Sequence, residues 1–294
     1  MQIYNLPSIE NISSSVDLIE VSGLRTIRIQ HPLARAVISL HGGQLLSFQP
    51  KGKNDLLWLS SEAILDGSTP IRGGIPVCFP WFGRIASPAH GFARTETWEV
   101  AGIQEDKSKL TIELVLAATD STLSIWPYHF EAKLTFEIEQ DIKVRLFVKN
   151  VDYKPFQFSA ALHSYLNVGD IQNCKVHGLG STYLDSLAGG EKRVGKEILS
   201  IDQAIDRVYL QPAPTVTIED HDRERVISIT NNNHNSAVVW NPWLIGAEST
   251  PDINSAQFTQ FVCIESCLYA SSLEQGKTLA PGESYELSTK IASS

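Results

Sequence analysis

The chain has 294 residues with a formal charge of -9 at pH 7, and 43% of its residues are hydrophobic. That composition can build a core that needs neither a metal nor disulfides to hold it together. The acidic balance, without any run of more than two Lys or Arg, argues against nucleic acid as a partner. No apolar run approaches the roughly 18 residues of a membrane span, so no membrane partner is expected.

After a polar lead-in over residues 1–15, short segments of alternating apolar and polar residues follow one another. Helical periodicity is confined to residues 60–65 and 255–261, and the polar segment 181–206 is predicted to be a surface excursion that returns to the site. We predict strands at residues 25–30, 35–48 (a hairpin turning at Gly42 and Gly43), 110–116, 132–138, 142–149, 156–166, 215–219, 226–230, 237–240, 261–267 and 284–290. This pattern predicts an all-β fold, a large antiparallel β-sandwich in one domain over residues 1–294.

A loop rich in Pro and Gly is the most unusual stretch of the chain. It runs from Ile71 to Gly83, IRGGIPVCFPWFG, and continues as HGFAR from His90 to Arg94. Its composition fits neither a helix nor a central strand. Arg72 and Arg94 lie near its two ends, and the planar guanidinium matches phosphate oxygens. We predict that the loop forms one wall of a pocket for an anionic ligand; the alternative is a rigid corner with its arginines in solvent.

Two candidate acid–base groups lie on two predicted strands. In FQFSAALHSYL (156–166), the face that carries His163 is small and polar, which favours a pocket lining over a sheet-to-sheet contact. Glu265 interrupts the apolar strand FVCIESC, where an ionised carboxylate is costly unless it is paired or functional. The alternatives are a hydrogen-bonded structural histidine and an edge carboxylate in water. Spacing alone does not say whether the two groups meet.

Other chemistries find little support in the motifs. The eight histidines show no HxH or HExxH spacing, and Cys263 with Cys267 has no second pair to complete a zinc site, so no metal is predicted. There is no GxSxG elbow and no Walker-type phosphate loop. The cysteines lack a paired framework, and MQIYNLPSIENISSS lacks the features of a signal peptide, so reduced thiols and a cytoplasmic location are expected.

Six segments together resemble the glucose-6-phosphate 1-epimerases, also called hexose-6-phosphate mutarotases, of the aldose 1-epimerase superfamily. The segments are IRGGIPVCFPWFG, HGFAR, FSAALHSYLNVGDI, IDRVY at 205–209, VVWNPW at 238–243 and FVCIES. They occur in order between Arg72 and Ser266, which is about two thirds of the chain. The resemblance implies that the β-sandwich is of the galactose-mutarotase-like type.

The resemblance also implies roles, carried over position by position onto this chain. The implied roles are His163 as general acid, Glu265 as general base, Arg72 and Arg94 as holders of the substrate and its phosphate, Asp206 as a sugar-contacting aspartate and His90 near the sugar ring. One departure is visible, because several relatives carry a Gln immediately before the HG where this chain has Ala89. A hydrogen bond to a sugar hydroxyl is therefore missing or supplied elsewhere.

The implied activity is interconversion of the α and β anomers of a hexose 6-phosphate, with glucose 6-phosphate as the expected substrate. Glu265 would remove the O1 proton while His163 protonates the ring oxygen, so a protonated imidazole beside an ionised carboxylate is expected at rest. No cofactor is required, and a monomer acting on a small sugar phosphate is expected. Two alternatives stay open: a mutarotase for unphosphorylated aldoses, and a sugar-phosphate-binding protein without catalysis.

Overall fold

Strands dominate the computed structural model, which describes residues 3–294. The strands, numbered in chain order, begin with β1 Ser8–Asn11, β2 Val16–Val21, β3 Leu24–Gln30, β4 Ala34–Ser39, β5 Gln44–Pro50, β6 Val77–Cys78, β7 Glu99–Glu105, β8 Leu110–Ala117, β9 Phe130–Ile138, β10 Ile142–Asn150, β11 Phe156–Phe158 and β12 Ala160–Leu162. They continue with β13 Tyr165–Asn167, β14 Cys174–His177, β15 Thr182–Asp185, β16 Glu191–Val194, β17 Ile205–Tyr209, β18 Thr215–Asp220, β19 Arg225–Asn232, β20 Ser236–Asn241, β21 Phe261–Leu268, β22 Lys277–Leu279 and β23 Ser284–Ser293.

Helices in the described residues are short and lie between strands. The α-helices are α1 Asp120–Ile125 and α2 Trp243–Glu248. The 3-10 turns are Ile3–Asn5, Ile171–Asn173, Ser186–Ala188, His221–Arg223, Ser255–Gln260 and Leu273–Gln275. None of the described helices is long and apolar enough to reach across a bilayer.

Most strands belong to three antiparallel sheets. The N-terminal sheet runs β1-β2-β3-β4-β5, the central sheet runs β14-β18-β19-β23-β10-β9-β8-β7, and the site sheet runs β16-β15-β17-β20-β21-β12-β6, with β13 also paired to β21. One large core joins all three, since Ile27, Leu134 and Ile264 belong to the same buried cluster. The predicted antiparallel all-β architecture is therefore confirmed, and the N-terminal sheet shares its core with the other two sheets.

Alternating burial in the central sheet explains why its strands were visible in the sequence. Every second side chain of β10 is buried, and β8 shows the same pattern over seven of its eight residues. Successive side chains of a strand point to opposite faces, so one face covers the core while the other meets water. Each buried Leu or Ile on the core face contributes about 1.5–3 kcal/mol.

The segment 156–166, predicted as one strand, forms the three short strands β11, β12 and β13. It breaks at Ser159 and at His163, whose backbone N–H groups donate to Pro80 O and Pro76 O, both at 3.0 Å. These hydrogen bonds go to the Pro- and Gly-rich loop rather than to a neighbouring strand. The prediction of an unbroken strand is therefore wrong, and the breaks tie the loop to the site sheet.

Two other segments are more regular than predicted. Within the lead-in 1–15, β1 pairs with β2, while residues 1 and 2 lie outside the described residues. The segment 181–206, predicted to be a surface excursion that returns to the site, contains strands, because β15 pairs with both β16 and β17 at the edge of the site sheet.

Of the predicted helical turns, 255–261 is confirmed as a 3-10 turn, whereas 60–65 is not helical. The helices α1 and α2 escaped prediction because six residues complete less than two helical turns and show no clear periodicity.

Candidate active site

The two faces of the site sheet differ in chemistry because side chains alternate along each strand. In β21, Val262 and Ile264 belong to the main core, whereas Cys263 and Cys267 belong to two smaller clusters on the opposite face. Glu265 lies between these two cysteines in the alternation and shares their face. It therefore points away from the main core, although it is 1% exposed.

Strand register arranges this outward face in two adjacent rows across the sheet. The first row is Asp206, Trp240, Cys263 and Tyr165, and the second contains Val208, Val238 and Glu265. His163 extends the second row, because it follows Leu162, which pairs with Ser266. In that register His163 lies opposite Glu265, which brings the two candidate acid–base groups together.

His163 and Glu265 form a buried pair. The imidazole Nε2 lies 3.2 Å from the carboxyl Oε1, and His163 is 8% exposed. The remaining polar atoms, Nδ1 of His163 and Oε2 of Glu265, have no hydrogen-bond partner within residues 3–294. Because buried polar atoms nearly always find partners, two unsatisfied atoms on one pair point to a ligand that supplies them.

Burial shifts both members of the pair toward their uncharged forms. Desolvation lowers the pKa of His163 well below its ordinary value, and the positive charges of Arg72 and Arg94 act in the same direction. Desolvation raises the pKa of Glu265 well above its ordinary value, and the nearby Asp206 carboxylate adds to this. Burial therefore favours the uncharged form of each group in the free site, whereas the mechanism that the resemblance implies needs an imidazolium beside a carboxylate.

Aromatic rings surround the imidazole of His163. The Tyr165 ring stacks on it with centroids 4.8 Å apart and an interplanar angle of 10°, and Trp240 meets it edge-on at 6.3 Å. His90 lies on another side, with its ring centroid 6.0 Å away. These rings form an apolar, water-poor wall, which is the cause of the desolvation of the pair.

Arg72 reaches the same face from the start of the loop. Its Nε donates to Asp252 Oδ2 at 3.1 Å and its Nη1 donates to the Tyr165 hydroxyl at 3.0 Å. Its guanidinium lies over the Trp240 ring, 6.0 Å from the centroid. The side chain is half-buried and held at two atoms, so it presents a fixed positive charge at the edge of the pair.

The other end of the loop brings Arg94 and His90 to the site. Arg94 Nη2 donates to the backbone carbonyl of Ala89 at 2.7 Å, and its buried Nε has no partner in the described chain. Ala89 thus contributes only backbone at the position where several relatives carry Gln. His90 is held at φ 65 by the turn that its N–H closes onto Gly83 O at 2.7 Å.

Asp206 lies on β17 in the first row, opposite Trp240. Burial raises its pKa, with a further contribution from Asp185, while a hydrogen bond from Ser186 and the charge of Arg84 oppose the shift. The carboxyl is half-buried and sits on the same face as Glu265. The structure therefore places His163, Glu265 and the four predicted binding residues close together at one face of the site sheet.

Sequence reasoning assigned no role to three residues that contact Arg72 or His163. Asp252 gave no sequence signal, because it lies 180 positions from the Arg72 that it pairs with. Tyr165 was visible on the polar face of segment 156–166, and Trp240 lies in the VVWNPW motif, yet neither suggested a contact with His163. Only the register of β13, β20 and β21 brings them to the imidazole.

A thiol also borders the site without being suited to nucleophilic chemistry. The Cys78 Sγ lies 3.5 Å from His90 Nδ1, and burial raises the pKa of this thiol to about 12. Cys78 therefore stays protonated, as an inert buried cysteine does. In the described range no cluster of three or more His, Cys, Asp or Glu is arranged to hold a metal ion, and the cysteines there are buried and unpaired.

Comparison with known proteins identifies the family. The model of the aldose 1-epimerase family matches residues 25–292, a range that includes every residue of the candidate site. The chain belongs to the aldose 1-epimerase family. It is therefore an isomerase of the epimerase and mutarotase class, and its substrate is a sugar.

Relatives of this aldose 1-epimerase family member cover nearly the whole chain. It is 34% identical over 278 residues to a protein of Escherichia coli K12 described as a candidate glucose-6-phosphate 1-epimerase, with 93% of each chain covered. It is 32% identical over 284 residues to a protein of Salmonella typhimurium with the same description, with 95% of each covered. These matches confirm the resemblance that the motifs suggested.

Solved structures agree with this assignment. A crystal structure of a candidate mutarotase from Salmonella typhimurium has a TM-score of 0.93 and 31% identity, covering 100% of this chain and 98% of that one. A galactose 1-epimerase from Lactobacillus acidophilus is only 12% identical but shares the fold, with a TM-score of 0.73 over 97% and 99% of the two chains. The predicted galactose-mutarotase-like fold is thus confirmed.

Proposed function

We propose that this protein interconverts the α and β anomers of glucose 6-phosphate by opening and closing the sugar ring. The observation that carries the proposal is the buried His163–Glu265 pair, whose facing atoms lie 3.2 Å apart beside two arginines. The descriptions of the Salmonella and Escherichia relatives support the same substrate.

Anomer exchange needs a base at the O1 hydroxyl and an acid at the ring oxygen. Both oxygens are bonded to the same carbon, so the two catalytic groups must be neighbours, as His163 and Glu265 are. In the proposed reaction Glu265 takes the O1 proton while His163 protonates the ring oxygen, and the bond from C1 to the ring oxygen breaks. Rotation about C1–C2 and closure on the other face of the aldehyde give the other anomer.

Burial favours the uncharged form of each group, whereas the reaction needs an imidazolium beside a carboxylate. Both forms of the pair carry the same number of protons, so moving one proton from Glu265 to His163, whose facing atoms lie 3.2 Å apart, gives the reactive form. The substrate hydroxyl and ring oxygen supply partners for the unsatisfied atoms, which stabilises that form. Acid–base groups placed in this way each supply about 10²- to 10⁴-fold acceleration.

Phosphate recognition is proposed for Arg72 and Arg94. Arg94 has no carboxylate partner among the described ion pairs, so its charge is available to an anion. Asp252 and Tyr165 accept from Nε and Nη1 of Arg72, and within residues 3–294 its Nη2 makes no hydrogen bond. Binding the remote phosphate positions the anomeric carbon over the acid–base pair.

One observation favours a second candidate function, a mutarotase for unphosphorylated aldoses. The Asp252 carboxylate 3.1 Å from Arg72 already neutralises one of the two positive charges that a phosphate would use. In that case Arg72 would donate to a sugar hydroxyl instead, while His163 and Glu265 keep their roles.

The test is NMR magnetisation transfer between the α and β anomers at catalytic protein concentration, run with glucose 6-phosphate and with glucose. We expect strong acceleration for the phosphate and little for glucose. Equal acceleration of both sugars would favour the second candidate. Saturable binding of glucose 6-phosphate without any acceleration would indicate a binding protein and overturn the catalytic proposal.

A further inference from the structure

The imidazole of His163 is the last member of a stack of aromatic rings. Tyr165 packs against it nearly parallel, with centroids 4.8 Å apart and planes 10° from parallel. Tyr165 also stacks with Trp58, with ring centroids 5.9 Å apart, and Trp58 stacks with Phe261, with centroids 4.2 Å apart. The imidazole therefore packs against a column of stacked aromatic rings, which restricts its movement.

Tyr165 itself is fixed from several sides. It is 2% exposed, its N–H donates to Gly74 O at 2.9 Å, and its carbonyl accepts from Trp58 N–H at 2.9 Å. Its hydroxyl accepts a hydrogen bond from Arg72 Nη1 at 3.0 Å. One side chain thus touches both the candidate general acid and a candidate substrate-binding arginine.

The usual way of orienting a catalytic histidine is missing here. A hydrogen bond from the second ring nitrogen to a carbonyl or carboxylate normally sets the tautomer and the ring orientation. Nδ1 of His163 has no such partner in residues 3–294, although it is buried. With only the Glu265 contact at Nε2, the ring could rotate about that contact unless its faces are held.

We propose that Tyr165 is the positioning residue that holds the His163 ring in its reactive orientation and connects it to Arg72. This inference rests on the proposed function and deepens it by adding a residue to which the motifs assigned no role. Stacking of the Tyr165 ring fixes the plane of the His163 imidazole, and the Tyr165 hydroxyl fixes the position of the Arg72 guanidinium. Tyr165 therefore has two separable effects, one on turnover and one on binding.

Two substitutions separate these effects. Tyr165→Phe keeps the ring and removes the hydroxyl, so we expect kcat for glucose 6-phosphate within about threefold of wild type and KM raised about tenfold. Tyr165→Leu removes the stacked ring, so we expect kcat to fall by about 10²-fold because a loosely held acid misses the ring oxygen. The matched control is Phe261→Leu, which removes an aromatic ring from the same column without a contact to His163.

A spectroscopic readout keeps the test independent of stability. In ¹³C-histidine-labelled protein, the ring current of Tyr165 shifts the NMR signals of the His163 ring protons. We expect their chemical shifts to be retained in Tyr165→Phe and in Phe261→Leu, and to move toward free-histidine values in Tyr165→Leu. The pH dependence of kcat should change only in Tyr165→Leu, whereas a merely structural role would leave it unchanged.

Several results would overturn the inference. They are a folded Tyr165→Leu protein with wild-type kcat, a Phe261→Leu protein that loses as much kcat as Tyr165→Leu, and a Tyr165→Phe protein with unchanged KM. If Tyr165→Leu does not fold, the Tyr165→Phe result decides. If wild type accelerates glucose rather than glucose 6-phosphate, the proposed substrate fails, and the same variants measured with glucose still test the stacking role.

Discussion

At the scale of single residues, burial is what distinguishes the His163–Glu265 pair from an ordinary ion pair. A second pair, His177 with Glu219, has the same atoms at the same 3.2 Å distance, but its side chains are 33% and 42% exposed. His163 and Glu265 are 11% and 1% exposed as side chains. Solvent around the second pair screens electrostatic interactions, whereas desolvation around His163 and Glu265 favours the uncharged form of each group.

This comparison supplies a matched test of the base. Glu265→Gln keeps the shape of the side chain and removes the proton acceptor, so we expect kcat/KM for glucose 6-phosphate to fall by about 10²- to 10⁴-fold. Glu219→Gln, made in the exposed pair, should leave it unchanged. Anomer exchange followed by NMR measures both, and a Glu265→Gln protein with full activity would remove this residue from the mechanism.

The two loop arginines should respond differently to removal. Arg94→Ala should raise KM for glucose 6-phosphate, leave KM for glucose almost unchanged and have little effect on stability. Arg72→Ala should raise the same KM and also lower the free energy of unfolding by about 1–3 kcal/mol, because Asp252 loses its partner. Steady-state kinetics with glucose 6-phosphate and glucose, and denaturant unfolding, measure these effects in both variants. If neither variant changed the preference for glucose 6-phosphate over glucose, the anion site would be contradicted.

At the scale of elements, the Pro- and Gly-rich loop holds its side chains in place because its backbone lies directly against neighbouring backbone. Gly91 has φ +72, and a Cβ there would lie 2.1 Å from Phe79 O. Gly74 has φ +62, and a Cβ there would lie 2.1 Å from Leu45 O. Both glycines therefore permit contacts between backbones that no other residue allows, and these contacts place Arg72, His90 and Arg94.

Two glycines of this loop allow the cost of steric crowding to be measured apart from the cost of a left-handed backbone conformation. Gly83 has φ +77 with open space where a Cβ would lie, whereas Gly91 is crowded at nearly the same φ. Gly83→Ala should cost about 1–2 kcal/mol from the left-handed conformation alone. Gly91→Ala should cost clearly more, with loss of activity, since backbone must move. Denaturant unfolding measures both, and equal losses would show that crowding is unimportant.

At the scale of the whole molecule, histidines with lowered pKa values connect stability to pH. Burial lowers the pKa of His90 to about 3, helped by the charges of Arg94, Arg72 and Arg84. An unfolded histidine titrates near its ordinary pKa of about 6.5. Between these values the unfolded chain binds more protons, so the free energy of unfolding falls as the pH drops through this window. The raised pKa of Glu265 acts in the opposite sense, removing stability as pH rises above its unfolded value.

His90→Asn tests this contribution, because Asn tolerates the φ of 65 that His90 adopts. We expect a shallower fall in the free energy of unfolding between about pH 6.5 and pH 4 than in wild type. His221→Asn, at a histidine whose side chain is 60% exposed, should keep the wild-type slope. Urea unfolding across the pH range measures the slopes, and identical slopes in wild type and His90→Asn would contradict the argument.

The sequence by itself determined the fold class and most strands of the central sheet. In β8 and β10 one face is buried and the other is partly exposed, so apolar and polar residues alternate along the sequence. It also marked the loop from Ile71 to Arg94, since Pro and Gly impose local backbone limits. Glu265 stood out because a carboxylate in an apolar strand is costly wherever that strand lies.

Only the tertiary structure decided how these parts combine. The pairing of β13 and β20 with β21 puts Tyr165 and Trp240 around His163, and Asp252 meets Arg72 across 180 positions. The shift of both pKa values was also invisible in the sequence, because desolvation in the folded protein causes it. Register and desolvation depend on many distant residues at once, and no local pattern records them.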